Sequence, residues 1–410
     1  MMILTGLCSC RKNLLDVQPT NLLTSAQIMT NDASVTAYMA SLYRDLPMED
    51  FSFSEGSFWR FPDGGQQYLA NLTDEAQTQW NNPGPILNVN VYDVLYKAVR
   101  NVNTFIGLMQ ASTNFPAAQQ AQYIAEAKFI RAYYYYGLVK NYGGVPLVLT
   151  VPATATPLPR NKETDIYDQI KKDLDDASAG LPAVKAGFLS TTTSVNGVSY
   201  GYGRANKYVA LALEARVMLH AGSIGFFSAN DPNYAAVIGS YNGICGVDAA
   251  HGQTYMQAAF DASAQIIASG VFQLYTKYAG PGLATATTAA DYAKNFQYLF
   301  YDTKQGDSNT ESIFNRGYDF ATSNSYTHSQ DLETLPHAIQ SAIGYGNALQ
   351  PTADLMEKFE NLDQSSPIIA PTPTLLYHFP TQNTPFALKD PRFNGTFVAN
   401  GTAYRGTVIT

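Results

Sequence analysis

AEAKFIRAYYYYGLVKNYGGVPLV, Ala125 to Val148, is the stretch that decides the fold. Ala125, Ala127, Ala132 and the long side chains between them favour helix. Gly143-Gly144 supply a left-handed cap, and Pro146 forbids continuation. On a helical wheel the apolar residues nearly encircle the axis. Phe129, Ala132, Tyr136 and Val139 lie on one side, and Ala127, Ile130, Tyr134 and Leu138 on the other. Lys128, Arg131 and Tyr135 share a narrow polar strip. Such a helix is buried between two neighbours, as a stacked array of helix pairs requires.

Ala125-Glu126-Ala127, Arg131-Ala132, the run Tyr133 to Tyr136, and Tyr142-Gly143-Gly144-Val145-Pro146-Leu147 closely resemble the most recognisable block of the SusD/RagB family. Those are surface-exposed nutrient-binding lipoproteins of Bacteroidetes. Further blocks follow in the family's order. They are Asn103 in the preceding helix, Gly203-Arg204 before ALALEARVMLHAG, Asn309, Glu311, Ile313 and Phe314, Leu355 with Phe359, and Lys389-Asp390-Pro391-Arg392-Phe393. The resemblance runs from Cys10 to about Asn400. It implies a mainly α fold of tetratricopeptide-like helix pairs, with long irregular loops and a few short strands. The family usually continues well past its Asp-Pro-Arg block, so a chain stopping at Thr410 reads as truncated.

Working outward, Thr24 to Leu46 reads as a helix. VYDVLYKAVRNVNTFIGL forms another, joined to the Ala125 helix by a turn around Asn114-Phe115-Pro116. Ile166, Ile170, Leu174 and Ala177 mark a helix capped by Asn161 or Thr164 and stopped before Pro182. Ala205 to Ala221 is its partner, with Val209, Ala212, Arg216 and Leu219 as one stripe. Gly222 to Gly252 reads as a Gly/Asn-rich insertion, and Tyr255 to Ser269 as a returning helix. The resulting division is 1–9, a remnant of a lipoprotein signal; 10–26, an extended tether; 27–270, the helical-repeat region; and 271–410, the C-terminal region.

Composition narrows the function classes. The chain has 410 residues, a net charge of −8, 14% charged and 12% aromatic residues, and 28 tyrosines. Without a basic stripe it is no partner for nucleic acid. No stretch approaches the roughly 18 apolar residues of a membrane span. An aromatic-rich, charge-poor chain suits uncharged, hydroxyl-rich ligands, although most such rings belong to the core. His220, His251, His328, His337 and His378 show no metal-ligand spacing, and neither a metal nor a cofactor is expected. No Walker loop, G-x-S-x-G or dinucleotide fingerprint occurs.

In MMILTGLCSC, Cys10 fits a bacterial lipobox, whereas Leu7 before Cys8 does not. Cys10 is therefore the expected lipidation site, with the signal clipped at its start. Phe51 to Pro85 is aromatic, Gly/Pro-punctuated and irregular, and holds both tryptophans. Loops on a rigid scaffold are where binding sits. Trp59, Trp80 and Tyr68 could present rings to pyranose faces. Each tryptophan could equally plug the core. Asp74 could accept hydrogen bonds from sugar hydroxyls, or act as a helix N-cap before Ala76. Tyr318 and Tyr326 beside GYDFATSNSYTHS are weaker candidates.

The resemblance implies a non-catalytic, lipid-anchored protein at the outer-membrane surface. It would bind an oligosaccharide, polysaccharide or other nutrient and pass it to a SusC-like TonB-dependent transporter. The alternatives are a glycoside hydrolase on a helical scaffold and a helical-repeat adaptor for peptide or protein. Adjacent Asp74 and Glu75 cannot be set across a glycosidic bond by sequence position alone.

Overall fold

The decisive stretch forms the C-terminal part of helix α3, Ala117–Tyr142, in the computed structural model. The structure describes residues 29–48, 74–78, 91–152, 157–185, 193–200, 203–241, 243–277, 288–301, 309–315, 349–365, 386, 388–398, 403–404 and 407–408. Helix α1 is Asp32–Arg44 and α2 is Val91–Ala111. Beyond α3 come α4 (Glu163–Gly180), α5 (Lys207–Asn230), α6 (Pro232–Gly239) and α7 (Ala249–Ala268). The C-terminal part holds α8 (Ala289–Tyr301), α9 (Ala353–Glu357) and α10 (Pro391–Thr396). The described strands form three two-stranded antiparallel ribbons of two or three residues a strand. Strand β1 (Ala76–Thr78) pairs with β4 (Leu349–Pro351), β2 (Thr193–Val195) with β3 (Val198–Tyr200), and β5 (Ala403–Tyr404) with β6 (Thr407–Val408).

Helices pack in chain order, α2 on α3, α3 on α4, α4 on α5 and α5 on α7. The short connection at 112–116 makes α2 and α3 antiparallel. The start of α2 meets the end of α3, where the Tyr92 amide donates to the Tyr142 hydroxyl at 3.1 Å. Helix α3 is the central layer. Phe129, Ile130, Ala132, Tyr134, Tyr135 and Leu138 are fully buried. Gly143 ends α3 at φ 68°. A Cβ on Gly144 would stand 2.2 Å from the Asn161 carbonyl oxygen and 2.4 Å from that of Ile244, so only glycine lets the three backbones meet.

Five expectations are corrected. Helix α1 starts at Asp32, not Thr24, because the Asn31 side chain caps it by accepting the Ser34 amide at 3.0 Å; Met29 and Thr30 form a turn. Neither Asn161 nor Thr164 caps α4. The Asp165 carboxylate reaches back to the Lys162 amide at 3.1 Å, while Asn161 accepts from the Leu147 amide at 2.9 Å. The span 222–252 is not an insertion. Helix α5 runs through Gly222 and Gly225 to Asn230, and α7 begins at Ala249. These glycines are where α5 and α7 cross: a Cβ on Gly225 would lie 2.5 Å from the Gly252 Cα, and one on Gly222 2.7 Å from the Met256 side chain. Helix breakers by propensity, they allow close backbone approach.

The fourth concerns the face that α5 buries. Of the expected stripe, Val209 is buried and Ala212 partly so, whereas Arg216 and Leu219 are exposed; the core face continues through Ala210, Leu213, Glu214, Val217, Met218 and Ala221. Helix α5 is also long and apolar enough to cross a membrane, contrary to the reading above, yet more than half of its most apolar stretch is buried. It is a core helix.

Glu214 is 4% exposed and lies 3.4 Å from the Lys171 ammonium. Burial raises its pKa from 4.5 to about 7, against the pull of Lys171. A folded-state pKa above the unfolded one means a contribution fully present below about pH 4.5 and lost as pH rises through 7. The loss is at most about 3 kcal/mol. Chemical denaturation of Glu214→Gln should show a flatter stability profile between those pH values than the parent. An unchanged profile would remove Glu214 as the cause.

Candidate ligand-binding region

Of the side chains singled out for ligand contact, Asp74 falls among the described residues. Trp59, Tyr68, Trp80, Tyr318 and Tyr326 lie outside them, as does the lipidation candidate Cys10. Asp74 is exposed, in a bend with Glu75 directly before β1. The residue after that bend, Ala76, opens a strand and not a helix, so Asp74 is not an N-cap. Its backbone is fixed from the far side of the sequence. The Thr352 hydroxyl donates to the Asp74 carbonyl, and the Thr352 amide donates to the Glu75 carbonyl at 3.0 Å. The same Thr352 oxygen accepts the Leu355 amide at 3.2 Å and caps α9.

Ala76 faces Pro351, Gln77 faces Gln350 and Thr78 faces Leu349. The last residue of β1, Thr78, and the first of β4, Leu349, therefore stand opposite each other.

The helical stack holds two buried charge clusters that sequence reasoning missed. Arg131 donates to both oxygens of Asp173, at 2.8 and 2.7 Å, and to the Asn103 side-chain oxygen at 3.0 Å. Asn103 in turn donates to the Val148 carbonyl at 2.8 Å, and the Tyr135 hydroxyl accepts the Val148 amide at 2.7 Å. The exit of α3 is thus held against α2 and α4. In the second cluster Glu126, fully buried, accepts a bidentate pair of bonds from Arg204 and another from the Tyr43 hydroxyl at 2.7 Å. The Tyr43 oxygen accepts the Ala205 amide at 2.8 Å. The available signal was Glu126 and Arg131, charges on the otherwise largely apolar C-terminal half of α3.

The C-terminal blocks are joints of the same kind. Asn309 accepts the Ser312 amide at 3.0 Å and donates to the Leu299 carbonyl at 2.8 Å. Glu311 takes the Tyr275 amide at 2.9 Å. Phe314 packs edge-on against Phe129, centroids 5.8 Å apart. Asp390 caps α10, and Phe393 is buried among Phe359, Phe386 and Phe397.

A model of SusD-like proteins, described as starch-binding and associating with the outer membrane, matches residues 13–219. The chain belongs to the SusD/RagB family. The fold agrees. A SusD-like carbohydrate-binding protein from Bacteroides fragilis superposes with a TM-score of 0.62 at 20% identity, over 93% of this chain and 62% of that one. A second SusD-like protein from Bacteroides fragilis gives 0.55 at 19% identity, over 89% of this chain and 60% of that one. The chain therefore spans about three fifths of the length of these SusD-like structures. No curated protein matches it in sequence. In this SusD-like chain the recognisable blocks are scaffold joints: Glu126 meets Arg204, and Asn103 meets Arg131. Among the described residues, no group of His, Cys, Asp and Glu could hold a metal ion.

Proposed function

We propose that this SusD-like chain is a non-catalytic, surface-exposed binder of glycans or related nutrients. It captures ligand and hands it to a SusC-like TonB-dependent transporter in the outer membrane. The observation that supports the reading best is the match of residues 13–219 to a family described as starch-binding and associating with the outer membrane. Trp59, Trp80 and Tyr68 would offer ring faces, Asp74 would accept sugar hydroxyls, and Tyr318 and Tyr326 would extend the surface. The family's description as starch-binding and the carbohydrate-binding relative support a glycan as ligand. Affinity per site is modest, because each sugar–ring contact replaces good hydration.

Affinity electrophoresis against a panel of polysaccharides, starch first, tests this. Replacing whichever of Trp59 and Trp80 is exposed with Ala should weaken retention by about 1–3 kcal/mol at unchanged thermal stability. Equal retention of both Ala variants and the parent would move the site away from 51–85. New reducing ends on incubation with the retained polysaccharide would favour the hydrolase instead. Anchoring is tested separately, in a protein carrying a full signal. Cys10→Ala should release it from membranes and Cys8→Ala should not; a membrane-bound Cys10→Ala variant would refute lipidation there.

A further inference from the structure

On α5, Arg216 stands one helical turn before His220. On α3, Tyr136 and Lys140 are likewise one turn apart, so each helix sets its two side chains on one face. The two pairs meet across the seam. The Tyr136 ring packs edge-on against the His220 imidazole, with centroids 5.8 Å apart and planes at 78°. The Lys140 ammonium lies 5.8 Å from the centroid of the Tyr136 ring. Lys140 and Arg216 are exposed, while Tyr136 and His220 are half-buried.

The two exposed members of the cluster, Lys140 and Arg216, are both cationic. Arg216 acts on the Tyr136 hydroxyl to favour its ionised form, against the larger opposing effect of burial. Lys140, together with burial, disfavours a charged His220. No carboxylate among the described residues acts on either ring. Glu163 interacts with Tyr167 and accepts the Gly246 amide at 2.6 Å. Tyr167 also occupies the imidazole Nδ1 at 3.0 Å, which leaves Nε2 as that ring's remaining polar atom. Elsewhere Lys128, Lys171, Arg131 and Arg204 each face a carboxylate within 4 Å. Neither Lys140 nor Arg216 does so among the described residues. In a chain of net charge −8 this is a cationic pair with no carboxylate partner among the described residues, beside two hydrogen-bonding rings.

We propose that Lys140, Arg216, Tyr136 and His220 form a subsite for a ligand oxyanion, the carboxylate of a uronate residue in an acidic oligosaccharide. The ammonium and guanidinium supply charge-assisted hydrogen bonds, and guanidinium geometry matches a carboxylate in two-point fashion. Assigning the oxyanion to a saccharide rests on the glycan-binding reading above; the oxyanion site itself does not.

Isothermal titration with oligogalacturonate, a sulfated oligosaccharide and neutral maltohexaose tests it, on the parent and on a Lys140→Gln/Arg216→Gln variant. Both replaced side chains are exposed, so an unchanged melting temperature verifies the variant's fold. Oligogalacturonate should bind the parent about tenfold or more tighter than the variant, with a gap that narrows as salt rises. Maltohexaose should not distinguish them. Equal affinity of the two proteins for oligogalacturonate overturns the subsite. Binding of the sulfated sugar alone overturns the uronate assignment. NMR titration of the His220 imidazole with inorganic sulfate separates this inference from the function it rests on. A sulfate-dependent rise of the His220 pKa in the parent, absent from the variant, with no saccharide bound, keeps the oxyanion site and rejects the glycan reading. Maltohexaose binding without any sulfate response keeps the glycan reading and rejects this site.

Discussion

Arg131→Ala should lower the unfolding free energy by about 3–5 kcal/mol, the cost of leaving a buried charge without its partner. The Arg131 side chain is 7% exposed and that of Asp173 2%. Removing the guanidinium strips both oxygens of Asp173 of their closest donors. It also takes the Nη1 donor from the Asn103 side chain and, at 3.3 Å, from the Leu149 carbonyl. Gln169 alone, donating to Asp173 at 3.1 Å, does not balance the charge. The double variant Arg131→Met/Asp173→Leu should recover much of the loss, because two apolar groups of similar volume replace a pair whose desolvation is costly. Urea denaturation of the two single variants and the double one gives the coupling. A single variant losing less than about 1 kcal/mol would place the pair in solvent, contrary to its burial.

Phe129→Ala should cost about as much, 3–5 kcal/mol, by a different route. The ring is fully buried and packs edge-on against Tyr133 and Phe314, with centroids 6.1 and 5.8 Å away. Because Phe314 belongs to the 309–315 segment, the cavity opens where the C-terminal part meets the helical stack. Hydrogen exchange should therefore speed up both in α3 and at 309–315. Faster exchange in α3 alone would mean that the C-terminal segment is held by Asn309 and Glu311, without help from Phe314.

The helices of the stack were legible because each carries its own local evidence. Alternating faces of apolar residues, the Gly143-Gly144 exit and the Pro146 stop act within one or two turns, and the structure keeps them. The same reasoning failed on α5. Nearly every position from Val209 to Ala221 is apolar, so several stripes were equally good, and an arginine at 216 did not break the pattern. Gly222, Gly225 and Gly252 misled for a related reason. Propensity scores a glycine as a break, whereas close helix contact requires its missing side chain. The candidate site was legible only as composition: rings, glycines and prolines between residues 51 and 85 mark a loop but say nothing of what stands beside it.

By itself, the sequence determined the helical class, the order of the pairs, the cap and exit of the central helix, and membership of the SusD/RagB family, because these rest on contacts or motifs close together along the chain. Tertiary structure decided the rest. It joined Glu126 to Arg204 and Arg131 to Asp173, partners 78 and 42 residues apart, turned Arg216 outward, and paired the strand after Asp74 with residues 349–351. Those outcomes depend on which helix faces meet and how closely. Side-chain volume and the cost of burying an unpaired charge select among faces only when all the packing neighbours are present at once.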